Sequence, residues 1–174
     1  MRVRTLLNPF ACNQRYVRQS WQELFKNHQG IIDVEIGFGN GQFLEYYAGL
    51  YPARSVVGFE IRQRLVEFVK DKITTKKLDK VIGFRAHGQH ALEDMFDDDS
   101  IDRIFIFHPD PWPRHGHRKR RIINHDFLEI IHKKLKPGGQ LYLATDVPDL
   151  WEYMSDAIHQ HGKLTKLEND PLIS

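Results

Sequence analysis

Asp110 stands between Pro109 and Pro111, and Trp112 is followed at once by Pro113. Proline on each side limits backbone freedom, so the carboxylate has little ordering entropy left to lose when a ligand binds. Five Lys/Arg follow within the eight residues 114–121, namely Arg114, Arg118, Lys119, Arg120 and Arg121, with no acid among them. Such a run neutralises nucleic-acid phosphates and supplies salt-dependent affinity without sequence choice. Earlier in the chain Glu35 precedes Gly37, Gly39 and Gly41 in the segment EIGFGNG, and Glu60 lies 19 residues beyond Gly41. Glycines there let the backbone turn with positive φ and approach a ligand closely, and the start of the next helix adds unpaired N–H groups. A carboxylate ending the second strand can accept both hydroxyl protons of a ribose.

The spacing separates cofactor classes. A dinucleotide loop, G-x-G-x-x-G, needs glycine at position 42, and Gln42 is there instead. Glu35 would repel a pyrophosphate, whereas it suits a cationic ligand such as the amino group and sulfonium of S-adenosylmethionine. The competing reading is a tight strand-to-helix turn with no ligand. Trp112 also has two readings, stacking on a base or ribose edge, or capping the strand as a core or rim indole. Arg120 or Arg121 could instead pair within the fold with Glu35 or Asp146. Asp146 reads as a functional carboxylate, as the N-cap of the helix that follows, or as both. His108, His115, His117 and His125 invite a zinc site, but with one distant cysteine, Cys12, no metal is expected.

These residues must be positioned by regular elements. Hydrophobic periodicity predicts strands at Ile31–Ile36, Ser55–Glu60, Val81–Arg85, Ile101–Phe107 and Gln140–Thr145, with a last short strand at Lys163–Glu168. Helices are predicted at 13–28, Gly41–Leu50, Arg62–Lys76, Gln89–Phe96, Asn124–Leu135 and Pro148–His161, with Lys136-Pro137-Gly138-Gly139 as a stop signal. The alternation implies an α/β fold, a mostly parallel sheet covered on both faces, with ligands beyond the carboxyl ends of the strands. Glu35, the glycines, Glu60, Asp110, Trp112 and Asp146 lie at or just after such strand ends, and the basic run follows the fourth strand.

The totals set the remaining bounds. A chain of 174 residues with 41% hydrophobic and 28% charged residues reads as one globular domain, 1–174, with an N-terminal helical segment over about 1–29. No apolar run approaches the ~20 residues of a membrane helix. The first ten residues lack the apolar core and cleavage site of a signal peptide, and a single cysteine suits a reducing cytoplasm. The net charge is +2, yet without the five bases of 114–121 acids outnumber bases, so the positive excess is local.

With EIGFGNG, Phe59-Glu60, HPDPWP, HRKRR and LATD in this order, the chain resembles the bacterial tRNA (guanine-N7)-methyltransferases over roughly residues 31–160. The resemblance implies a Rossmann-like class I methyltransferase fold, S-adenosylmethionine as methyl donor, and tRNA as substrate, methylated on a variable-loop guanine. It implies that Glu35, Gly37, Gly39, Gly41 and Glu60 bind the cofactor. Asp110 then serves as the catalytic aspartate and as a cofactor neighbour, with Arg114 and Asp146 as substrate contacts. Trp112, Arg118, Lys119, Arg120 and Arg121 complete the RNA-facing set. His87 stands where the family usually carries an acid for the adenine amino group, and neutral imidazole can still accept one hydrogen bond. Gly116 replaces a customary arginine. Thr165-Lys166-Leu167-Glu168 is similar to the family's closing Thr-x-Phe-Glu segment but comes too soon after Asp146, so the C-terminal part is expected to be incomplete. The oligomeric expectation is a monomer or a homodimer. Competing functions are a non-catalytic RNA-binding relative, a methyltransferase for another substrate, and a nicotinamide dehydrogenase, the last disfavoured by Gln42.

Overall fold

A computed structural model describes residues 15–25 and 28–167. Five strands, β1 (Ile32–Ile36), β2 (Ser55–Glu60), β3 (Val81–Arg85), β4 (Ile101–Phe107) and β5 (Leu135–Ala144), form one sheet in the order β3-β2-β1-β4-β5. Every neighbouring pair is parallel. Between and after them run α2 (Gln42–Leu50), α3 (Gln63–Thr75), α4 (Gly88–Met95), α5 (His125–Lys134) and α6 (Pro148–His161), and a short α1 (Trp21–Leu24) precedes the sheet. A 3-10 segment, His115–Arg120, lies between β4 and α5.

The two faces of the sheet are separate cores, set by the two-residue period of the strands. Ile32, Val34 and Ile36 of β1 join Val57, Phe59, Ile104 and Ile106 against α4, α5 and α6. The alternate residues of β2 and β4, Val56 and Phe105, pack with Leu44 and Tyr47 of α2 and with Val66 and Val69 of α3. Asp33 and Glu35 belong by parity to this second face, and both are buried. Gly58 is required there: a Cβ would come within 2.6 Å of Phe38 Cδ1 and 2.8 Å of Leu44 Cδ1. Gly41, at φ 69°, would place a Cβ 2.8 Å from Val69 Cγ2, so glycine allows α2 to start against α3.

Asp33 is satisfied by a network that joins β1, α2 and β4. It accepts two bonds from Arg54 and one from the Tyr47 hydroxyl at 2.9 Å, and Arg103 Nη1 donates to the Tyr47 oxygen at 2.8 Å. Burial, with the nearby Asp33 charge, raises the Tyr47 pKa, so the phenol stays protonated. This cluster anchors the amino-terminal end of β1, opposite the end that carries the glycine turn.

Three sequence expectations differ from the structure. Among the described residues of the expected helix at 13–28, only Trp21–Leu24 is helical, and 15–20 are irregular and tied to α4 by Arg15 and Tyr16 bonding to Asp94. Lys163–Leu167 form no strand, and Glu168 lies outside the described residues. The fifth strand starts at Leu135 instead of Gln140: α5 ends at Lys134, as the stop signal implied, but 136–139 lie inside β5 as an irregularity, where pairing passes from Ile101↔Leu135 to Arg103↔Gln140, so two steps along one strand face five along the other.

Arg54→Ala leaves the Asp33 carboxylate, which has no exposed surface, without its cationic partner. Stability is expected to fall by about 3–5 kcal/mol, read as a lower urea midpoint with an unchanged m-value.

Candidate active site

The carboxyl ends of β1, β2, β3 and β4 open into a cavity of about 190 Å³. Its wall includes Ile36 and Gly37 from the β1 turn, Glu60 and Arg62 after β2, His87 after β3, and Phe107 through Asp110 after β4. Trp112, Arg120 and Arg121 close the side nearest α5. A more open depression of about 360 Å³ adjoins it, sharing Phe107 and His108 and lined by Glu35, Phe38 and Asn40. The turn after β1 and the Pro-Asp-Pro loop therefore face one space.

Glu60 organises the turn. Its Oε2 accepts from Gly39 N at 3.1 Å and from Arg62 Nη2 at 3.0 Å. Its Oε1 accepts from the backbone N and the Nε of Arg62, each at 3.0 Å. Gly37 N and Phe38 N donate to the Phe59 carbonyl, which fixes the turn to the end of β2. Gly37, Gly39 and Gly41 all have positive φ, and their N–H groups donate within the turn, to the Phe59 carbonyl, Glu60 and the Phe38 carbonyl, so what the glycines offer a ligand is close approach to backbone without side chains.

Glu35 is 4% exposed, and its Oε2 is buried without a hydrogen-bond partner. Burial, reinforced by the neighbouring Glu60 charge, pushes its pKa up to about 8. A carboxyl in that state holds a proton near neutrality and releases it when a cation arrives. His87 shows the opposite shift: burial, and then His90, lower it to about 4, so the imidazole is neutral. Its Nδ1 is buried and unpartnered, its ring lies 4.8 Å from that of His90, and its backbone N donates to the Tyr16 hydroxyl at 3.2 Å. Two orphaned polar atoms, one beside each of the adjoining depressions, suit a ligand with a cationic group and an amino-bearing heterocycle.

The loop after β4 is strained. His108 and Trp112 adopt φ of 47° and 42°, an unusual region for side-chain-bearing residues. The strain is held by a 2.7 Å bond from His108 N to the Ala144 carbonyl and by burial of Trp112, which is 5% exposed. Trp112 is thus a wall of the cavity, with the Arg120 guanidinium 5.0 Å above the ring and His117 edge-on. Asp110 is exposed at the mouth.

The basic run divides in two. Arg114 and Lys119 are exposed, and Arg120 lies over Trp112. Arg118 reaches Asp149 at 2.9 Å while its side chain stays 40% exposed. Arg121 corrects the expectation of a phosphate contact: its side chain is 1% exposed, bonds the Pro111 carbonyl at 2.9 Å and Asp149, and lies over Tyr153. It holds the Pro-Asp-Pro loop to α6, and its acid is Asp149, neither Glu35 nor Asp146. Asp146 does not cap α6, whose N-cap residue is Val147. It lies within 3.2 Å of His108 Nδ1 and is largely exposed. Sequence reasoning missed Arg62 and Tyr16. The i, i+2 spacing of Glu60 and Arg62 is a local signal for the first; Tyr16 reaches His87 only through the fold. Among the described residues no cluster of three or more His, Cys, Asp or Glu could hold a metal ion, and no helix is long and apolar enough to cross a membrane.

The fold and this crevice define a Rossmann-like class I methyltransferase architecture. Solved structures that share it include a precorrin-6y C5,15-methyltransferase from Geobacter metallireducens (TM-score 0.60, 19% identity, covering 76% of this chain and 62% of that one). A SAM-dependent methyltransferase from Aquifex aeolicus gives a TM-score of 0.57 at 18% identity, covering 80% of this chain and 76% of that one. At the sequence level, the family described as "Putative methyltransferase" matches residues 29–173. A tRNA (guanine-N(7)-)-methyltransferase of Alkaliphilus oremlandii is 31% identical, covering 92% of this chain and 79% of the relative. That of Nitrosococcus oceani is 33% identical over 83% of this chain, which spans 61% of the relative's length. The chain belongs to the bacterial tRNA (guanine-N7)-methyltransferase family.

The buried Glu35 has a pH signature. Because its folded pKa lies above the unfolded one, the native state binds the extra proton between about pH 4.5 and 8, and stability is lost as pH rises through that window. The stability difference between Glu35→Gln and the parent protein should therefore grow with pH up to about 8 and then level off. The slope is at most roughly 1.4 kcal/mol per pH unit. Denaturant titrations from pH 5 to 9 measure it, and a flat difference would contradict the burial of this carboxyl.

Proposed function

We propose that the protein is an S-adenosylmethionine-dependent methyltransferase acting on N7 of a guanine in the tRNA variable loop. The observation that supports this is a cavity lined by Glu60, His87 with its unpartnered Nδ1, and Asp110, joined at Phe107 and His108 to a depression lined by Glu35 with its unpartnered oxygen, with Arg114 and Lys119 exposed in the segment that follows. Membership in the tRNA (guanine-N7)-methyltransferase family supports the same reading.

In this reading Glu60 holds the ribose hydroxyls, the glycine turn approaches the amino-acid portion, Glu35 accepts the ammonium group, and His87 faces the adenine. When bound, the cofactor supplies an electrophilic methyl group. Guanine N7 has a free lone pair, so no residue has to take a proton to make it nucleophilic. The task of the protein is placement, to ~3–3.5 Å in a near-attack arrangement. Asp110, stiffened by two prolines and the Arg121 tether, places fixed negative charge where the purine becomes positive. It can also accept from guanine N1–H and the exocyclic amine. Arg114, Lys119 and Arg118 meet backbone phosphates, with Asp146 at the RNA-facing rim. Trp112, covered by Arg120, shapes the cavity. A single domain over residues 1–174, working in the cytoplasm, completes the proposal.

Incubation with methyl-labelled S-adenosylmethionine and unmodified tRNA should yield acid-labile purine methylation; no transfer would reject the reading. Asp110→Ala is expected to lower turnover by about 100-fold or more, with cofactor affinity changed by no more than severalfold. Lys119→Ala should weaken tRNA binding uniformly across tRNAs and reduce the salt slope by about one unit, as measured by filter binding from 50 to 200 mM salt. An unchanged slope would place Lys119 off the RNA path.

A further inference from the structure

We infer that Arg62 is a displaceable cap on the diol-binding carboxylate, and that it exchanges Glu60 for Asp110 when the nucleoside end of the cofactor binds. The inference rests on the methyltransferase reading above and adds a residue that this reading did not use.

A carboxylate offers about four lone-pair sites. In Glu60 all four are taken: two on Oε1 by the backbone N and Nε of Arg62, two on Oε2 by Gly39 N and Arg62 Nη2. The carboxylate is 4% exposed, so water has little access to complete or compete with this set. A vicinal diol needs two acceptor positions there. The backbone donors cannot leave without breaking the glycine turn and the start of α3. The Arg62 guanidinium can, because its side chain is 48% exposed and hinges on rotatable bonds.

The fold provides a second acid for it. Arg62 and Asp110 line the same cavity, and the Asp110 charge acts on the guanidinium in the same direction as Glu60, behind both the Glu60 contact and burial. Rotation away from Glu60 thus carries the cation from one carboxylate toward another and keeps its charge compensated. The exchange has a consequence for order of binding. With the nucleoside absent, the guanidinium holds the diol site closed; with it present, the same group steadies Asp110 at the mouth where the base must enter. Arg62 is a positioning residue in this scheme, acting through two carboxylates.

Calorimetry with S-adenosylhomocysteine and with its 2′,3′-dideoxy analogue tests the exchange. Arg62→Ala should bind S-adenosylhomocysteine roughly three- to tenfold more tightly than the parent, because the competing donors are gone. Affinity for the dideoxy analogue, which leaves the guanidinium in place, should stay within about twofold. Asp110→Asn should weaken S-adenosylhomocysteine by roughly threefold when Arg62 is present and have no such effect in the Arg62→Ala background, a coupling that a purely structural arginine would not show. Arg62→Lys, which lacks the planar fork, should resemble Arg62→Ala more than the parent. Unchanged or weaker binding by Arg62→Ala, or an equal shift for both ligands, would overturn the cap. Failure of both parent and variant to bind S-adenosylhomocysteine would reject the methyltransferase reading itself.

Discussion

The site exists because β1 and β4 are neighbours whose chains leave toward opposite faces of the sheet. After β1 the chain enters α2, whose Leu44 and Tyr47 pack with Phe105 on one face. After β4 it runs through the Pro-Asp-Pro loop to α5, whose Phe127, Leu128 and Ile131 pack with Ile104 and Ile106 on the other. Two diverging connections cannot fill the space above the strands they leave, so a crevice opens at the point where strand order reverses. Glu35, Glu60, His87 and Asp110 come together there because each follows, or ends, a strand that terminates at this edge.

Strand parity then sorts the carboxyls. Val34 and Ile36 belong to the core beneath α4–α6, which puts Asp33 and Glu35 on the face shared with α2 and α3. Asp33 has Arg54 and the Tyr47 hydroxyl waiting for it. Glu35 has an unpartnered oxygen and a second acid nearby. One end of the strand is satisfied and anchors the fold; the other is left unsatisfied at the expense of stability, where a ligand can complete it. The positive φ of His108 and Trp112 places further strain at the same end of the sheet.

The arginine run shows how charge is divided between structure and surface within a few residues. Arg121 turns inward to Asp149 and the Pro111 carbonyl, where Tyr153 of α6 offers a ring beneath it. Arg114 and Lys119 remain on the outside. The buried arginine tethers the loop bearing Asp110 to α6, and the exposed bases belong to the segment that follows that loop.

Much of this was legible in the chain itself. Apolar runs of β-branched and aromatic residues located all five strands, though not the first half of β5, because the central strands β1 and β2 are buried along their whole length and the others in part. Punctuation by Gly41, by Pro148 and by the stop at Lys136-Pro137-Gly138-Gly139 bounded the helices, since those residues constrain or release local φ. The acids at strand ends and the proline-bracketed Asp110 were likewise readable, as their meaning depends on position along one element. What only the tertiary structure decided was partnership across elements. Burial of Arg121 against Asp149, the Tyr16 hydroxyl bonded to His87 N, the enclosure of Trp112 by Arg120, and the irregular backbone at 15–20 each depend on contacts between distant segments. Residue type and local period carry no record of which distant side chain will fill a given space, so these contacts are settled when the two faces of the sheet are packed.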